Sequence, residues 1–385
     1  DVTARNLSEF PEFGEADQIS TELQFNGRFG ESVDFVAGFY YFREEGSNNS
    51  GLFTFFPFST ATENDFFTLE QTTNSFAGYA NTSVMVFDGF KLGGGLRYSR
   101  DDKEGTANFP SFGGTPKTNE ADFDAITFDV NASYLLARNM TVYAQVQRGY
   151  QTGGFPPRPF GGPDQFNIFD EITALNYEVG FKGIINSHIR LAASLYWTEY
   201  DDLAVPFSQP NETGFVTIVE NAASSRARGF ELEANLMYGG FFLNPSVGFI
   251  DAEFTSVEEM TQGIEVGAAP PLTPQWTVGA NGGYLHNFDN IGSLRAQVNY
   301  SFRDDQFGQA VESETELMDA RSLLGFNVEF VNADGDWELE LYGENILNEV
   351  YDQGRLNNPF HGFVGVVLSN DRSEFGLRFT KRCGI

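Results

Sequence analysis

A long polar stretch in the first half of the chain carries residues suited to contact a small ligand. Residues 151–171 hold Phe155, Arg158 and Phe160 within a proline-rich run. Prolines stiffen the backbone, aromatic rings can stack on a ligand, and a guanidinium can contact an anion. The pattern predicts ligand contacts in this loop. Packing of the loop on its neighbours is the alternative interpretation.

A second stretch near the end of the chain has a similar character. Residues 346–372 offer Tyr351, Arg355 and His361 as an aromatic ring, a cation and an imidazole. We predict that these three residues are further ligand contacts.

Groups for catalysis or metal binding are sparse. The chain has three histidines, of which His188 and His286 lie beside short turns and His361 lies in a long loop. Without a Ser-His-carboxylate grouping, the sequence predicts no enzyme. The single cysteine excludes a Cys-based zinc site, and we predict no metal and no cofactor. Three acidic pairs at strand ends could contact divalent ions, but each lacks the ligand number of a closed site. They are Asp101-Asp102, Asp201-Asp202 and Asp304-Asp305.

The charge balance excludes one class of partner. The 385 residues include 54 acidic and 23 basic side chains, a net charge of −31. Contacts to phosphates need clustered Lys and Arg, so no nucleic acid partner is expected. Aromatic residues make up 15% of the chain, which argues against disorder. No stretch approaches the roughly 18 apolar residues of a spanning helix.

Apolar and polar residues alternate from end to end, a pattern typical of strands with one apolar and one polar face. For example, Phe230, Leu232 and Ala234 alternate with Glu231 and Glu233. Many segments reach the roughly 9 to 11 residues that a tilted strand needs to cross a bilayer. About 16 such segments are predicted, near residues 20–29, 33–43, 70–87, 90–100, 121–137, 140–150, 172–185, 188–200, 213–223, 225–238, 241–255, 271–285, 291–303, 318–333, 336–345 and 373–382.

The connections between segments alternate between short and long. Short turns are predicted at Asp88-Gly89, Ser224 and Gly239-Gly240, among others. The long connections are residues 44–69, 101–120, 151–171, 201–212, 256–270, 304–317 and 346–372. Short periplasmic turns and long extracellular loops are typical of an all-β, transmembrane antiparallel β-barrel of the bacterial outer membrane. A soluble all-β sandwich or propeller is the alternative. Three tryptophans are expected on the lipid-facing surface, namely Trp197, Trp276 and Trp337.

Several motifs follow one another in a recognisable order. They are Gly94-Gly95-Leu96-Arg97-Tyr98, Arg148-Gly149-Tyr150-Gln151-Thr152-Gly153-Gly154-Phe155, Asn176-Tyr177-Glu178-Val179-Gly180-Phe181-Lys182, Gly229-Phe230-Glu231-Leu232-Glu233, Gly343-Glu344-Asn345-Ile346-Leu347-Asn348 and Phe375-Gly376-Leu377-Arg378-Phe379. In this order they resemble the C-terminal part of the β-barrel of TonB-dependent outer-membrane receptors, especially the siderophore-receptor-like branch.

The resemblance implies both a larger domain and a transport role. Barrels of this family have about 22 strands and a plugged lumen. Residues 1–385 are therefore expected to form a partial barrel domain, with the N-terminal plug domain absent. The implied function is TonB-dependent active uptake of a scarce nutrient, a ferric siderophore or similar iron complex, across the outer membrane. The implied partners are the TonB-ExbB-ExbD complex acting through the plug, an extracellular ligand, and outer-membrane lipid and lipopolysaccharide. A passive porin of about 16 strands is the alternative.

Overall fold

The computed structural model confirms the all-β prediction. It describes residues 8–9, 11–51, 53–54, 67–159, 162–211, 214–258, 261, 263–310, 312–358, 363–368 and 372–382. Two of the predicted ligand residues, Phe160 and His361, lie outside the described residues. In the described ranges, helical structure is limited to the short 3-10 turns Pro110–Phe112 and Pro163–Gln165. Among these residues, no helix is long and apolar enough to cross a membrane.

In the described part of the chain, fifteen strands form one antiparallel sheet in which each strand pairs with the next. They are β1 Glu12–Phe29, β2 Val33–Ser50, β3 Phe67–Phe87, β4 Phe90–Asn108, β5 Lys117–Ala137, β6 Met140–Gln151, β7 Ile172–Asn186, β8 Ile189–Asn211, β9 Gly214–Tyr238, β10 Phe241–Val257, β11 Trp276–Phe288, β12 Gly292–Arg303, β13 Arg321–Asn332, β14 Trp337–Glu344 and β15 Glu374–Lys381. Within the described residues, β1 pairs with β2 alone and β15 with β14 alone.

Among the described residues, three small strand pairs lie outside this sheet. They are Ser8–Glu9 with Phe53–Thr54, Gln306–Phe307 with Leu317–Met318, and Asp352–Asn358 with Phe363–Leu368. The second and third pairs belong to the connections after β12 and β14, so these connections carry strand structure of their own.

The predicted turn at Ser224 is wrong, because the chain continues through this residue as strand β9. The registers of the two ladders that flank this region shift between Ser224 and Ser225 and between Tyr200 and Ala204. A bulge inserts one extra residue and so interrupts the alternation of faces, which imitates a turn in the sequence. The segments 213–223 and 225–238 are therefore one strand, and among the described residues the main sheet has one strand fewer than predicted.

The prediction of a long loop at 201–212 is also wrong. Strand β8 runs to Asn211 and β9 begins at Gly214, so most of this stretch is paired strand. The connections predicted at 44–69 and 101–120 likewise begin and end in strand, because β2 to β5 extend into them. These strands of 18 to 25 residues exceed what a bilayer crossing needs.

The strand registers align alternate residues into two faces. One row runs across five strands through Leu23, Phe39, Gly78, Tyr98 and Ile126, whose four side chains are exposed. We call this side the apolar face. The predicted tryptophans Trp197, Trp276 and Trp337 share its parity. The opposite side, the polar face, has glycine or polar residues in the adjacent row, namely Gln24, Gly38, Tyr79, Arg97 and Thr127.

The apolar face has the height of a bilayer core. On β9 it extends from Tyr238 up to Phe230, and Arg228 above them forms an ion pair with Asp251 at 2.6 Å. Eight residues separate Tyr238 from Phe230, or about 26 Å along the strand. With a strand tilt of about 40°, this length gives a band about 20 Å tall, close to the roughly 25 Å found in outer-membrane barrels.

Aromatic residues mark both ends of this apolar band, as expected for membrane interfaces. At the upper end, the Trp276 ring lies 4.8 Å from Phe249 and 5.9 Å from Phe230. At the lower end, the Phe241 and Tyr284 ring centroids are 4.5 Å apart. The apolar face is therefore built to contact lipid.

Candidate functional site

The polar face carries an open pocket of about 570 Å³ on β1 and β3 to β7. At its centre, the Arg97 guanidinium lies 5.6 Å from the Tyr40 ring centroid and 5.8 Å from that of Tyr79. Arg97 Nε donates to Ser99 Oγ at 3.0 Å, and Tyr79 Oη donates to Glu22 at 2.5 Å. The pocket is thus lined by hydrogen-bonded groups of both charge signs, and such a lining can contact a polar solute.

Among the described residues, a tyrosine covers a cross-strand glycine at four places on the polar face; one is Tyr196 over Gly229, and the other three have further features in common. The registers pair Tyr79 with Gly38, Tyr143 with Gly180, and Tyr342 with Gly376. A Cβ atom added at Gly38 or Gly180 would lie 2.5 Å from the tyrosine hydroxyl. Each ring therefore needs glycine beneath it, because any side chain there would occupy the same space.

The three tyrosines share further contacts with charged groups. The hydroxyls donate to Glu22, Glu178 and Glu374 at 2.5, 2.5 and 2.9 Å, respectively. The cations Arg97, Lys182 and Arg378 lie 5.8, 5.2 and 5.3 Å from the ring centroids. In two of these three cases, the glutamate, the glycine and the cation lie on the same strand with the spacing Glu-x-Gly-x-Lys/Arg, at residues 178–182 and 374–378. This spacing was the available signal in the sequence, because residues i, i+2 and i+4 of a strand share one face.

The loop after β6 folds onto the polar face, above the pocket. Lys103 Nζ donates to the Gly153 carbonyl at 2.8 Å, and Asn119 Nδ2 donates to the Phe166 carbonyl at 2.7 Å. At the top of β6, Tyr150 Oη donates to the buried Asp101 carboxylate at 2.7 Å. The far end of the loop is bonded to β9 through Asn167 Nδ2, which donates to the Val219 carbonyl at 2.6 Å. The loop thus bridges the longer strands on either side of β6 and β7.

The predicted ligand residues of this loop already have partners within the chain. Phe155 is 4% exposed and lies in a small core, with its ring 5.3 Å from that of Phe166. The other members of this core are Phe67, Leu69, Ala107 and Phe109. Arg158 is exposed and forms an ion pair with Glu12 of β1 at 2.6 Å. Both residues hold the loop in place, and their contacts with a ligand stay a prediction.

The predicted residues of the later loop lie at the upper end of β12 and β13. The Arg321 guanidinium lies 4.1 Å from the Tyr351 ring centroid. Arg355 forms an ion pair with Asp352 and donates through Nη2 to the Leu317 carbonyl at 2.9 Å. Tyr351 and Arg355 thus share one cluster, whereas the contacts of Phe155 and Arg158 lie on β1 and β3 to β5. A ligand role for Tyr351 and Arg355 also stays a prediction.

Two further arginines lie at the upper end of β12 and β13, and neither was among the predicted ligand residues. Arg303 and Arg321 face each other across β12 and β13, on the polar face next to Thr277 of β11. Arg303 Nε and Nη2 are buried and have no hydrogen-bond partner. The signal in the sequence was the position of these residues, since they flank the 304–320 connection where a strand ends and the next begins.

A buried carboxylate lies in the same connection. Glu316 is 2% exposed, and neither of its carboxylate oxygens has a hydrogen-bond partner. Burial raises the pKa of Glu316, and the charge of Arg355 partly opposes this shift. Among the described residues, no group of three or more His, Cys, Asp or Glu side chains is placed to hold a metal ion.

Comparison with solved structures shows the fold. The ferric yersiniabactin uptake receptor FyuA from Yersinia pestis superposes with a TM-score of 0.81 at 18% identity, over 97% of this chain and 55% of that structure. The siderophore receptor PiuA from Acinetobacter baumannii gives a TM-score of 0.78 at 15% identity, over 96% and 56% of the two chains.

Comparison of sequences shows the family. The pesticin receptor of Yersinia enterocolitica is 28% identical over 213 residues, which are 54% of this chain and 30% of that receptor. The chain thus spans about half the length of the solved structures, and its alignment covers a smaller share of the curated relative. Residues 3–346 match the family model described as TonB dependent receptor-like, beta-barrel. The chain therefore belongs to the TonB-dependent receptor family as an outer-membrane β-barrel.

Proposed function

We propose that the chain forms part of the barrel of a receptor for TonB-dependent uptake of a scarce nutrient across the bacterial outer membrane. The carrying observation is the match of residues 3–346 to the receptor barrel family. A bilayer-high apolar face backed by a polar face with fixed charged groups is consistent with this role. In this proposal residues 1–385 contribute to one barrel domain, and the receptor acts by transport rather than catalysis.

The proposed cargo is a ferric siderophore or a similar iron complex. Two solved relatives are described as a ferric yersiniabactin uptake receptor and a siderophore receptor, and a curated relative as a pesticin receptor. These descriptions apply to those proteins and support the cargo proposed here. The proposed partners are the TonB-ExbB-ExbD complex, which supplies energy, and the lipid and lipopolysaccharide around the barrel.

A passive porin is the less favoured alternative. A porin needs an open aqueous path through its lumen. Here the loop after β6 lies on the polar face, held by Lys103, Asn119 and the core around Phe155. The match of residues 3–346 to the receptor barrel family favours the receptor over the porin.

The test is uptake of a radiolabelled ferric siderophore by cells that carry or lack the gene. We expect the gene to restore uptake to a deletion strain, and a protonophore or deletion of tonB to abolish it. Ferric complexes of hydroxamate, catecholate and carboxylate siderophores should be compared to identify the cargo. Uptake that persists without the proton gradient would favour the porin, and no restored uptake of any ferric complex would contradict the iron cargo.

A further inference from the structure

Two arginines are held opposite each other at the upper end of the polar face. Arg303 ends β12 and Arg321 begins β13, and the register pairs them directly. Residues paired in this way have Cβ atoms about 4.5 to 5.5 Å apart, where like charges destabilise a sheet. In a chain with 23 basic and 54 acidic residues, carboxylate partners are abundant. Placing two cations side by side therefore calls for an explanation.

The guanidinium of Arg303 has unused donors. Its Nε and Nη2 atoms are buried without a partner in the structure. A buried donor without a partner costs free energy, and the cost is larger for a charged group. Nε and Nη2 lie on the same edge of the guanidinium and present two parallel N–H bonds. This edge matches the two oxygens of one carboxylate in a bidentate pair.

The neighbouring acidic groups leave this edge without a partner. Arg321 stacks on Tyr351, with its guanidinium carbon 4.1 Å from the ring centroid, so its position is fixed. Asp352 lies near enough to attract Arg303, but its carboxylate forms an ion pair with Arg355. Among the described side chains, neither Glu316 nor another carboxylate forms an ion pair with Arg303 or Arg321.

We propose that Arg303 and Arg321 form a binding site for a carboxylate group of the transported ligand. The Nε and Nη2 edge of Arg303 binds both carboxylate oxygens, and Arg321 adds a second positive charge. This inference rests on the proposed uptake function and narrows its cargo to ligands that carry free or iron-bound carboxylates. The site also explains the pairing of two cations, because an anion between them relieves their repulsion.

The test uses the purified full chain in detergent micelles, with citrate as the probe and inorganic phosphate as a second anion. Isothermal titration calorimetry measures binding to the parent, Arg303→Gln, Arg303→Lys and the control Arg378→Gln. Arg378 lies on the same face but already has Glu340 as an ion-pair partner at 2.6 Å. Heat-modified gel migration and circular dichroism verify that each variant is folded.

We expect citrate to bind the parent more tightly than phosphate does, because citrate can place one carboxylate on the Nε and Nη2 edge of Arg303 and a second one near Arg321. Arg303→Gln should weaken citrate binding by about tenfold to a hundredfold, the usual effect of losing a charged hydrogen-bonded pair. Arg303→Lys keeps the charge but loses the two parallel N–H donors, and should weaken citrate binding by about fivefold or more. Arg378→Gln should bind citrate within about twofold of the parent.

Three results would overturn the proposal. They are absent citrate binding by the parent at about 10 mM, unchanged affinity in folded Arg303→Gln, and phosphate binding at least as tight as citrate. If Arg303→Gln does not fold, an unchanged affinity of Arg303→Lys for citrate overturns the proposed binding by the Nε and Nη2 edge. Citrate binding needs no energy source, so it can succeed while energised uptake fails. In that case the anion site stands and the uptake function does not.

Discussion

Replacing Phe155 with alanine should release the loop after β6 from the polar face. Phe155 is 4% exposed in a core of six buried residues, so the substitution removes a large share of the apolar contacts of the loop. Phe→Ala changes in cores cost about 3 to 5 kcal/mol, and the cost rises when the cavity cannot collapse. The backbone beneath the ring is Gly105, which has no side chain to fill the space. We therefore expect a loss of at least about 4 kcal/mol.

Hydrogen exchange of the loop amides measures this loss. The amides of Gly154 and Phe169 bond to each other's carbonyls at 3.0 Å and open only when the loop does. A loss of about 4 kcal/mol should reduce their protection by about a thousandfold, or to the level of a free loop. Phe13→Ala is the control, because this side chain is 62% exposed and its loss should change protection little.

Unchanged protection in Phe155→Ala would refute the view that the core holds the loop. The same variant also separates the two interpretations of this residue. If uptake falls while protection is retained, Phe155 contacts the ligand directly. If both fall together, Phe155 acts by holding the loop.

Three further substitutions test other contacts. Gly180→Ala should destabilise the sheet by about 1 to 3 kcal/mol in urea unfolding, because the new Cβ would lie 2.5 Å from the Tyr143 hydroxyl. Gly149→Ala, which meets open space, is the control, and equal effects would contradict a packing role for the tyrosine. Glu316→Gln should raise the thermal midpoint at pH 7, since burial raises the pKa of this carboxyl and ionising it in the folded state is costly. The gain should vanish below about pH 4, where the parent is protonated both folded and unfolded, and a gain independent of pH would exclude ionisation as its cause. Asn221→Ala removes two hydrogen bonds to the backbone of Asp170 and one to the Asp202 carbonyl of β8. Limited proteolysis should then cleave residues 162–171 faster, and unchanged cleavage would count against this anchor.

The two faces of the sheet could be predicted from the sequence, whereas the ends of the strands could not. Alternation depends on neighbours two residues apart, so Phe230 and Glu231 were assigned to opposite faces from the sequence alone. Strand ends depend on whether two distant segments continue to pair beyond the membrane. Residues 201–211 are rich in polar residues and proline, yet they pair with β9 as far as Asn211. Composition alone cannot distinguish such paired extensions from loops.

The candidate site was predicted by residue type but not by partner. The rings and cations of the two long loops were recognised, but Arg158 pairs with Glu12, which is 146 residues earlier in the chain. The small core around Phe155 similarly joins residues from β3, β4 and two connections. Contacts at such separations follow from the curvature of the sheet and the path of the loop, and neither leaves a local pattern in the sequence.

The acidic excess changes how a ligand-binding cation should be sought in this chain. With more than two carboxylates for each basic side chain, an arginine in a loop readily finds a partner within the protein, as Arg158 and Arg355 do with Glu12 and Asp352. Such a cation can bind an anionic ligand only by giving up an existing pair. Arg303 differs, because its neighbour across the sheet is another arginine and its bidentate edge is buried without a partner. Loop position and residue type therefore identify cations that stabilise loops, whereas an unpaired donor beside a second cation identifies the group that a carboxylate ligand can bind without breaking an existing pair.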